Sequence, residues 1–271
     1  MIYYGEKNMV KKTRRSIQTS GNHSNKTRIT AALLVFVLMG SGIALIFSNS
    51  DSNENINNEF SSNIVPTNCP ENDKSTPRTI DFIRRPPRCI ELNKTHTAIF
   101  DTTEGEIRFL LDTSLTPNTT NNFVVLTNYG YYDNTLLFRL DPSIGIIQGG
   151  SPHTNDWSDP GPGYTISDEG GLFLPLSNGG VKGPFTYSPG QLIMARSSGL
   201  NSSGAQFFFS TDEKVSLLDS QGSYIVFGET DVQGLSILKK MMDLYEIDEN
   251  SPYGGGPKRQ LLIRSVTIEI E

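Results

Sequence analysis

The sequence is poor in the side chains that carry most covalent enzyme chemistry. Its 271 residues include 2 cysteines, 3 histidines and 1 tryptophan. Both cysteines, Cys69 and Cys89, precede the strand-rich region that begins near residue 96, so that region has no thiol nucleophile. Its histidines are His96 and His153, and it contains no G-x-S-x-G motif. These absences argue against cysteine catalysis and against a Ser-His-Asp triad.

Metal and phosphate motifs are missing as well. His153 is followed by Asp156 and Asp159, but this spacing matches no zinc or calcium motif. The glycine-rich stretch GPGYTISDEGG precedes no helix-forming segment and does not end in Lys-Ser or Lys-Thr. Asp168 and Glu169 within it are interpreted as solvated loop charges. We therefore expect no metal site, no phosphate loop and no cofactor.

The charge and the long apolar run divide the chain. The net charge is -6, yet residues 1–28 are basic and the remainder is acidic, so no nucleic-acid surface is expected beyond them. The uncharged run from Ile29 to Phe47 can span a hydrocarbon core of about 30 Å. We predict a single transmembrane helix over 29–48 in the cell membrane, with 1–28 cytoplasmic and later residues outside. A cleaved signal peptide, whose apolar region is normally about 7–15 residues, is the alternative.

The next stretch is predicted to be a flexible linker over 49–78, because it is rich in Asn and Ser and has little apolar surface to bury. A lead-in segment over 79–95 follows. Cys69 and Cys89 can form a disulfide in an extracytoplasmic location, and closing this loop would stabilise the fold by about 3 kcal/mol. A pair of free thiols is the alternative.

Residues 96–271 are predicted to form one mainly β domain. Apolar residues alternate with polar ones in many short segments, which is typical of strands. One helix is expected after Thr116, with that residue as N-cap and Pro117 at the first position, and a second within DVQGLSILKKMMDLY. The chain shows no βαβ rhythm, which favours an antiparallel barrel or sandwich.

Segments of this domain together resemble the cyclophilin family of peptidyl-prolyl isomerases. They are YYDNTLLFRLDPSIGIIQGG, GQLIMARSSGLNSSGAQFFFST and LLDSQGSYIVFGETDVQGLSIL, in the family's order between about Thr97 and Glu271. With its anchor and linker, the chain resembles membrane-anchored bacterial cyclophilins. The resemblance implies a closed eight-stranded antiparallel barrel capped by two α-helices, with an active-site groove on the outer face.

The resemblance also implies roles for individual residues. Arg139 matches the catalytic arginine that hydrogen-bonds the carbonyl of the substrate proline and attends its nitrogen. Gln148 matches the glutamine that orients this arginine, and Phe208 matches the phenylalanine beneath the proline. The expected substrate-binding residues are Ile144 and Ile146 as apolar walls, Ala195, Arg196 and Ser197 as a peptide-pairing edge, Gln206 as a backbone contact, and Leu217, Leu218 and Tyr224.

The run AQFFFS is expected to serve both the groove and the core. Alternate side chains of a strand face opposite sides of the sheet. Gln206 and Phe208 should therefore face the groove, whereas Phe207 and Phe209 should face the barrel interior.

The sequence also departs from the family pattern. The spacing from Arg139 to Gln148 is one residue longer than is common, and we place the insertion near Gly145, in the turn-like DPSIG. Leu217 and Tyr224 stand where the family often has tryptophan and histidine. Weaker inhibition by the drug cyclosporin is expected, because a buried ligand carbonyl would lose its indole partner.

The residue inventory suits the reaction that the resemblance implies. Rotation about an X-Pro bond breaks no covalent bond, and its barrier of about 18–20 kcal/mol comes from amide resonance. An apolar groove and a cation near the prolyl nitrogen favour the twisted amide. We expect a monomeric isomerase that accelerates X-Pro rotation in unfolded or exported polypeptides. A proline-peptide-binding module or chaperone with little catalysis, and a structural domain with a vestigial groove, are the alternatives.

Overall fold

The structure is a computed structural model that describes residues 69–271. The predicted cytoplasmic segment 1–28, the predicted transmembrane helix 29–48 and most of the predicted linker 49–78 lie outside the described residues. Among the helices from residue 69 onward, none is both long and apolar enough to cross a bilayer.

Short antiparallel strands account for most of the regular structure. The strands are β1 (His96–Thr102), β2 (Gly105–Leu111), β3 (Thr135–Leu136), β4 (Arg139–Asp141), β5 (Ile146–Gly149), β6 (Leu174–Pro175), β7 (Val181–Lys182), β8 (Gln191–Arg196), β9 (Ser203–Ser210), β10 (Val226–Thr230), β11 (Tyr245–Ile247), β12 (Gly255–Pro257) and β13 (Leu262–Ile270). The helices are α1 (Pro117–Asn128) and α2 (Val232–Met242), with a 3-10 helix over Glu213–Leu218.

The main sheet is a curled, antiparallel, 9-stranded sheet in the order β3-β13-β1-β2-β10-β8-β9-β5-β4. Its edge strands β3 and β4 belong to one segment of chain, separated by Leu137 and Phe138. The resemblance implied a closed barrel of eight strands, whereas the described ladder has nine strands and is open between β3 and β4. The difference arises because this one bent segment divides its pairing: β3 pairs with β13, and β4 pairs with β5.

Aromatic side chains from the sheet and from α1 fill the main core. Phe100, Phe123 and Phe207 are fully buried, and Phe109 stacks on Phe209 with ring centroids 5.1 Å apart. Burying an apolar side chain of this size stabilises the fold by about 1.5–3 kcal/mol. The core therefore anchors one face of β9 and leaves its other face for a different set of contacts.

Helix α1 begins where the sequence predicts but is capped by a different residue. The Thr116 side chain makes no capping hydrogen bond. Glu169 instead accepts hydrogen bonds from the backbone N–H groups of Asn118 and Thr119. The interpretation of Glu169 as a solvated loop charge is therefore wrong, because its carboxylate is placed against the positive end of the helix dipole.

Residues 69–78, at the end of the predicted linker, are attached to the domain. A disulfide joins Cys69 to Cys89, and their Cα atoms are 5.4 Å apart. Lys74 Nζ lies 2.6 Å from Asp133 Oδ1. These covalent and ionic links replace the apolar contacts that the stretch lacks, so ordered structure begins before the predicted lead-in segment.

Candidate active site

The predicted catalytic residues lie in one row across the sheet. Arg139 of β4 is directly paired with Gln148 of β5, which is in turn paired with Phe208 of β9. The row continues to Ile193 of β8. Directly opposed residues of antiparallel strands point to the same face, so pairing collects side chains from distant parts of the sequence. The row has a polar half at Arg139 and Gln148 and an apolar half around Phe208.

The turn before β5 accommodates the extra residue between Arg139 and Gln148. Gly145 has a φ of +65°, a region that favours glycine. A Cβ atom at this position would lie 2.5 Å from Asp212 Oδ1. The Gly145 carbonyl also accepts a hydrogen bond from the Thr211 backbone N–H at 2.8 Å. The chain therefore turns tightly here and leaves Arg139 opposite Gln148. The position of the insertion relative to the family stays a prediction.

Arg139 is enclosed by polar partners at its edge and by an aromatic ring over its face. Nη1 donates to Gln148 Oε1 at 3.1 Å, and Nη2 donates to Asp141 Oδ2 at 2.7 Å. The guanidinium carbon lies 5.6 Å from the centroid of the Tyr253 ring. The residue is only 2% exposed, and among the described residues Nε has no hydrogen-bond partner. Arginine stays protonated in proteins, so a positive charge is held here in a nearly water-free position.

A line of amides continues from Arg139. Gln148 Nε2 donates to Gln206 Oε1 at 2.9 Å, and Gln206 Nε2 donates to the Trp157 carbonyl at 3.5 Å. The Trp157 backbone N–H in turn donates to the Tyr253 hydroxyl at 3.2 Å. The contacts thus form a ring that begins at Arg139 and returns to the aromatic side chain above it. Such a network restricts the orientation of every polar group in it.

The apolar half of the row belongs to a second buried cluster, separate from the main core. Phe208 and Tyr224 meet edge to face with ring centroids 5.5 Å apart. The Tyr187 hydroxyl donates to the Tyr224 carbonyl at 3.1 Å, which fixes the position of this tyrosine. The cluster consists of Ile144, Ile146, Tyr187, Ile193, Ala195, Phe208, Val215 and Tyr224, with Leu218 packed against it. It provides an apolar surface next to the Arg139 charge.

Strand β9 separates the two clusters as the sequence predicts. Phe207 and Phe209 are in the main core, whereas Phe208 is in the second cluster. Gln206, which precedes Phe208 by two positions, is half-buried and reaches Gln148. The predicted alternation of the AQFFFS run is therefore confirmed.

The tyrosines near Arg139 keep their protons at physiological pH. Burial raises the pKa of Tyr253 to about 12, while the Trp157 N–H and the Arg139 charge oppose this rise. Burial also raises the pKa of Tyr224, again against the Arg139 charge. Both phenols therefore contribute dipoles and hydrogen bonds to the site rather than negative charge.

Some predicted binding residues make other contacts. The Arg196 side chain is buried and donates to Asp168 Oδ1 and to the Ser223 carbonyl, each at 2.9 Å. Asp168, interpreted from sequence as a solvated loop charge, is instead the buried partner of this ion pair. Ser197 and Leu217 are exposed and belong to neither cluster. The Arg196 side chain thus secures a loop, and Arg196 pairs through β8 with Ser203 of β9. The role of Ala195, Arg196 and Ser197 in pairing with a peptide stays a prediction.

Sequence reasoning did not identify Asp141 and Tyr253 as neighbours of Arg139, or Trp157 as a member of the hydrogen-bond network around it. Asp141 follows Arg139 by two positions on one strand, so period two was a usable signal for its placement on the same face. Trp157 and Tyr253 lie in loops that are far apart in the sequence. No pattern of spacing connects them, and only the folded chain brings them together.

The part of the chain from residue 69 onward contains no group of His, Cys, Asp and Glu side chains arranged to hold a metal ion. A polar cavity of about 420 Å³ lies apart from the row, at the start of α1. Its lining includes Arg84, Arg85, Arg88, Asn118, Asn121 and Ser167. None of the predicted site residues lines it, so the chemistry expected from the sequence does not take place in this cavity.

Curated proteins similar to this chain include isomerases of bacteria. Over 165 residues it is 34% identical to the probable peptidyl-prolyl cis-trans isomerase B of Mycobacterium leprae, covering 58% of this chain and 53% of that protein. Over 137 residues it is 35% identical to the peptidyl-prolyl cis-trans isomerase B of Bacillus subtilis, covering 51% of this chain and 83% of that protein. The chain therefore matches about half the length of the mycobacterial relative.

A solved structure and a family model agree with these similarities. A cyclophilin type peptidyl-prolyl cis-trans isomerase of Cryptosporidium parvum superposes with a TM-score of 0.51 at 27% identity, covering 64% of this chain and 98% of that chain. The family model described as cyclophilin type peptidyl-prolyl cis-trans isomerase/CLD matches residues 97–268. Because this match covers more than half of the chain, it shows that the chain belongs to the cyclophilin-type peptidyl-prolyl cis-trans isomerase family.

Proposed function

We propose that this protein accelerates cis-trans rotation of X-Pro peptide bonds, with Arg139 as the residue that acts on the reacting amide. The observation that carries this proposal is the row in which the Arg139–Gln148–Gln206 line adjoins the apolar cluster around Phe208. The C. parvum relative was crystallised in the presence of the dipeptide Ala-Pro, which supports a proline-containing ligand for this groove.

The chemistry requires electrostatics rather than a nucleophile. Planar and twisted amides differ because resonance puts negative charge on the oxygen and withdraws electrons from nitrogen, and twisting reverses both effects. A fixed cation near the prolyl nitrogen interacts more strongly with the twisted form, and the enzyme gains rate from this difference. A preorganised donor in a water-poor site contributes about 2.7–4 kcal/mol to a transition state. Arg139 combines burial, permanent charge and an Nε–H that has no hydrogen-bond partner among residues 69–271.

The apolar cluster is proposed to bind the proline ring. Phe208 and Ile146 lie within it, and Tyr224 stands edge-on to Phe208. Apolar contact with the ring holds the residue that follows the rotating bond, while the residue before proline turns. Gln148 is proposed to position Arg139, and Gln206 to contact the peptide backbone.

A binding module with little catalysis remains the second candidate, because Arg139 is 2% exposed. An arginine that stays enclosed would leave a groove that binds proline peptides without acting on the amide. The two candidates differ in turnover rather than in affinity, so a rate measurement separates them.

We further propose that the domain acts outside the cell membrane on unfolded or exported polypeptides, as a monomer. The uncharged run Ile29–Phe47, the basic residues before it and the Cys69–Cys89 disulfide support this location. We also propose that the curled sheet closes into a barrel. The bent segment that contains β3 and β4 supports this closure, because β3 pairs with β13 and β4 pairs with β5. Protease accessibility of the domain on intact cells, with the protein retained in the membrane fraction, tests the orientation. Release of a shortened form would favour a cleaved signal peptide.

The test of the function is an NMR exchange assay on a short X-Pro peptide with the full chain in detergent. Wild type should accelerate exchange, and Arg139→Ala should lower kcat/KM by about 100-fold while the fold is retained. Arg108→Ala is the matched control, because that arginine is exposed and lies in β2, a strand that contributes no residue to the row. Equal turnover by wild type and Arg139→Ala would remove Arg139 from the mechanism.

A further inference from the structure

Arg139 is more enclosed than direct contact with a peptide allows. The whole residue is 2% exposed, and its Nε atom is buried without a hydrogen-bond partner among residues 69–271. Its Nη1 and Nη2 atoms already donate to Gln148 and Asp141. A peptide therefore reaches the guanidinium only if one of the groups around it moves.

Tyr253 is the group that covers the guanidinium face. Its ring centroid is 5.6 Å from the Arg139 guanidinium carbon and 6.1 Å from the centroid of the Phe138 ring. Aromatic faces attract guanidinium groups electrostatically. Asp141 is a less suitable candidate for movement, because it lies on β4 itself and forms a charged hydrogen bond of 2.7 Å.

The Tyr253 side chain is carried by the loop between β11 and β12, and β12 packs next to β4. Hydrogen bonds within the loop connect Asp248 with Gly254 and Ser251 with Gly255. The Tyr253 hydroxyl also accepts a hydrogen bond from the Trp157 backbone N–H at 3.2 Å, which links the loop to the amide line. The cover is thus held over Arg139 by one hydrogen bond and by its contact with the guanidinium and Phe138.

We propose that Tyr253 is a displaceable cover over Arg139 and determines the access of X-Pro peptides to that residue. This inference rests on the proposed function, because it concerns the same arginine. A bound peptide exchanges the ring contact for its own contact with the guanidinium, including its free Nε–H. The covered state therefore competes with peptide. The apparent Kd equals the intrinsic Kd divided by the fraction of molecules in which Arg139 is uncovered.

Substitutions at Tyr253 should strengthen peptide binding in a defined order. Tyr253→Ala removes both the ring and the hydroxyl, and should lower the Kd of an X-Pro peptide by about three- to tenfold, as loss of one cation–π contact and one hydrogen bond predicts. Tyr253→Phe keeps the ring and loses only the bond from Trp157, so its Kd should fall between those of Tyr253→Ala and wild type. Ile247→Ala, at an exposed position of β11 in the same hairpin, is the matched control and should bind as wild type does.

A second measurement does not depend on peptide or turnover. Exchange of the Arg139 Nε–H with water can be followed by NMR in the full chain, with the resonance assigned by its absence in Arg139→Lys. This exchange should be faster in Tyr253→Ala than in wild type, because the cover excludes water from a buried donor. Faster exchange together with tighter peptide binding in Tyr253→Ala is the expected result.

Other outcomes overturn the inference in distinguishable ways. Unchanged Nε–H exchange in Tyr253→Ala would show that the ring does not cover the arginine. Faster exchange with unchanged or weaker peptide binding would show that the cover does not control access. A lower kcat at an unchanged Kd would make Tyr253 a positioning residue for Arg139 instead. If wild type neither binds nor turns over the peptide, the proposed function itself fails, whatever the exchange rates are.

Discussion

The two faces of β9 are built from the same residue type and differ in what surrounds it. Phe207 and Phe209 face the main core, where their neighbours are other aromatic rings. Phe208 faces a smaller cluster that borders the Arg139–Gln148–Gln206 line. The inner face requires only apolar volume, whereas the outer face requires apolar surface at a set distance from a charge. One strand therefore carries a stability function on one side and the candidate active site on the other.

The largest effect that would sharpen this comparison is expected from Phe209→Ala. Removing a fully buried ring from the main core should lower the free energy of unfolding by about 3–5 kcal/mol. Urea unfolding followed by circular dichroism measures this loss. Phe208→Ala is the partner variant: it should also be destabilised, but its kcat/KM per folded molecule should fall as well. A similar fall in Phe209→Ala under conditions where it is folded would contradict the separation of the two faces.

The disulfide offers a second way to separate stability from turnover. The lead-in segment places Phe82 in the main core, which is a different cluster from the one around Phe208. Cys69→Ser with Cys89→Ser should lower the free energy of unfolding by about 3 kcal/mol through the loss of loop closure. Turnover of the folded protein should stay near the wild-type value. Reduced wild type is the control for the substitutions, and a large fall in kcat/KM would link the lead-in segment to the site.

Gln148→Leu addresses the polar half of the outer face. This side chain accepts from Arg139 and donates to Gln206, so the substitution leaves both partners without it. We expect kcat/KM to fall about tenfold, which corresponds to roughly 1.4 kcal/mol of transition-state stabilisation. Gln191→Leu, at a buried glutamine of β8 outside the line, is the control for a lost glutamine. An equal fall in both variants would mean that the amide line has no special role.

The smallest effect is expected at Leu217, an exposed residue that the resemblance assigns to the groove. This residue is 61% exposed and lacks the indole that the family uses against cyclosporin. Leu217→Trp should strengthen cyclosporin inhibition by about threefold to tenfold, through a restored hydrogen bond and aromatic contact. Turnover of a short X-Pro peptide should change much less. Leu200→Trp, at another exposed leucine, is the control and should leave inhibition unchanged. Equal inhibition of both variants would show that position 217 is not part of the groove.

Several elements of the fold could be predicted from local patterns, because a strand with one buried face has alternating apolar and polar residues. The AQFFFS run and the helix starting at Pro117 are of this kind. The capping role of Glu169 was not predictable, because the helix end and the carboxylate are separated by about fifty positions that only folding closes. The division of one segment into β3 and β4 likewise depends on a bend with no sequence signal.

The sequence by itself indicated the mainly β domain through its period-two alternation, which is a local property of the chain. The site residues were indicated only by the resemblance of its motifs to those of the cyclophilin family. The tertiary structure alone decided that Arg139 is nearly buried and covered by Tyr253. Solvent access and this ring contact arise from segments that are distant in the sequence and meet only after the chain folds, so no pattern along the chain encodes them.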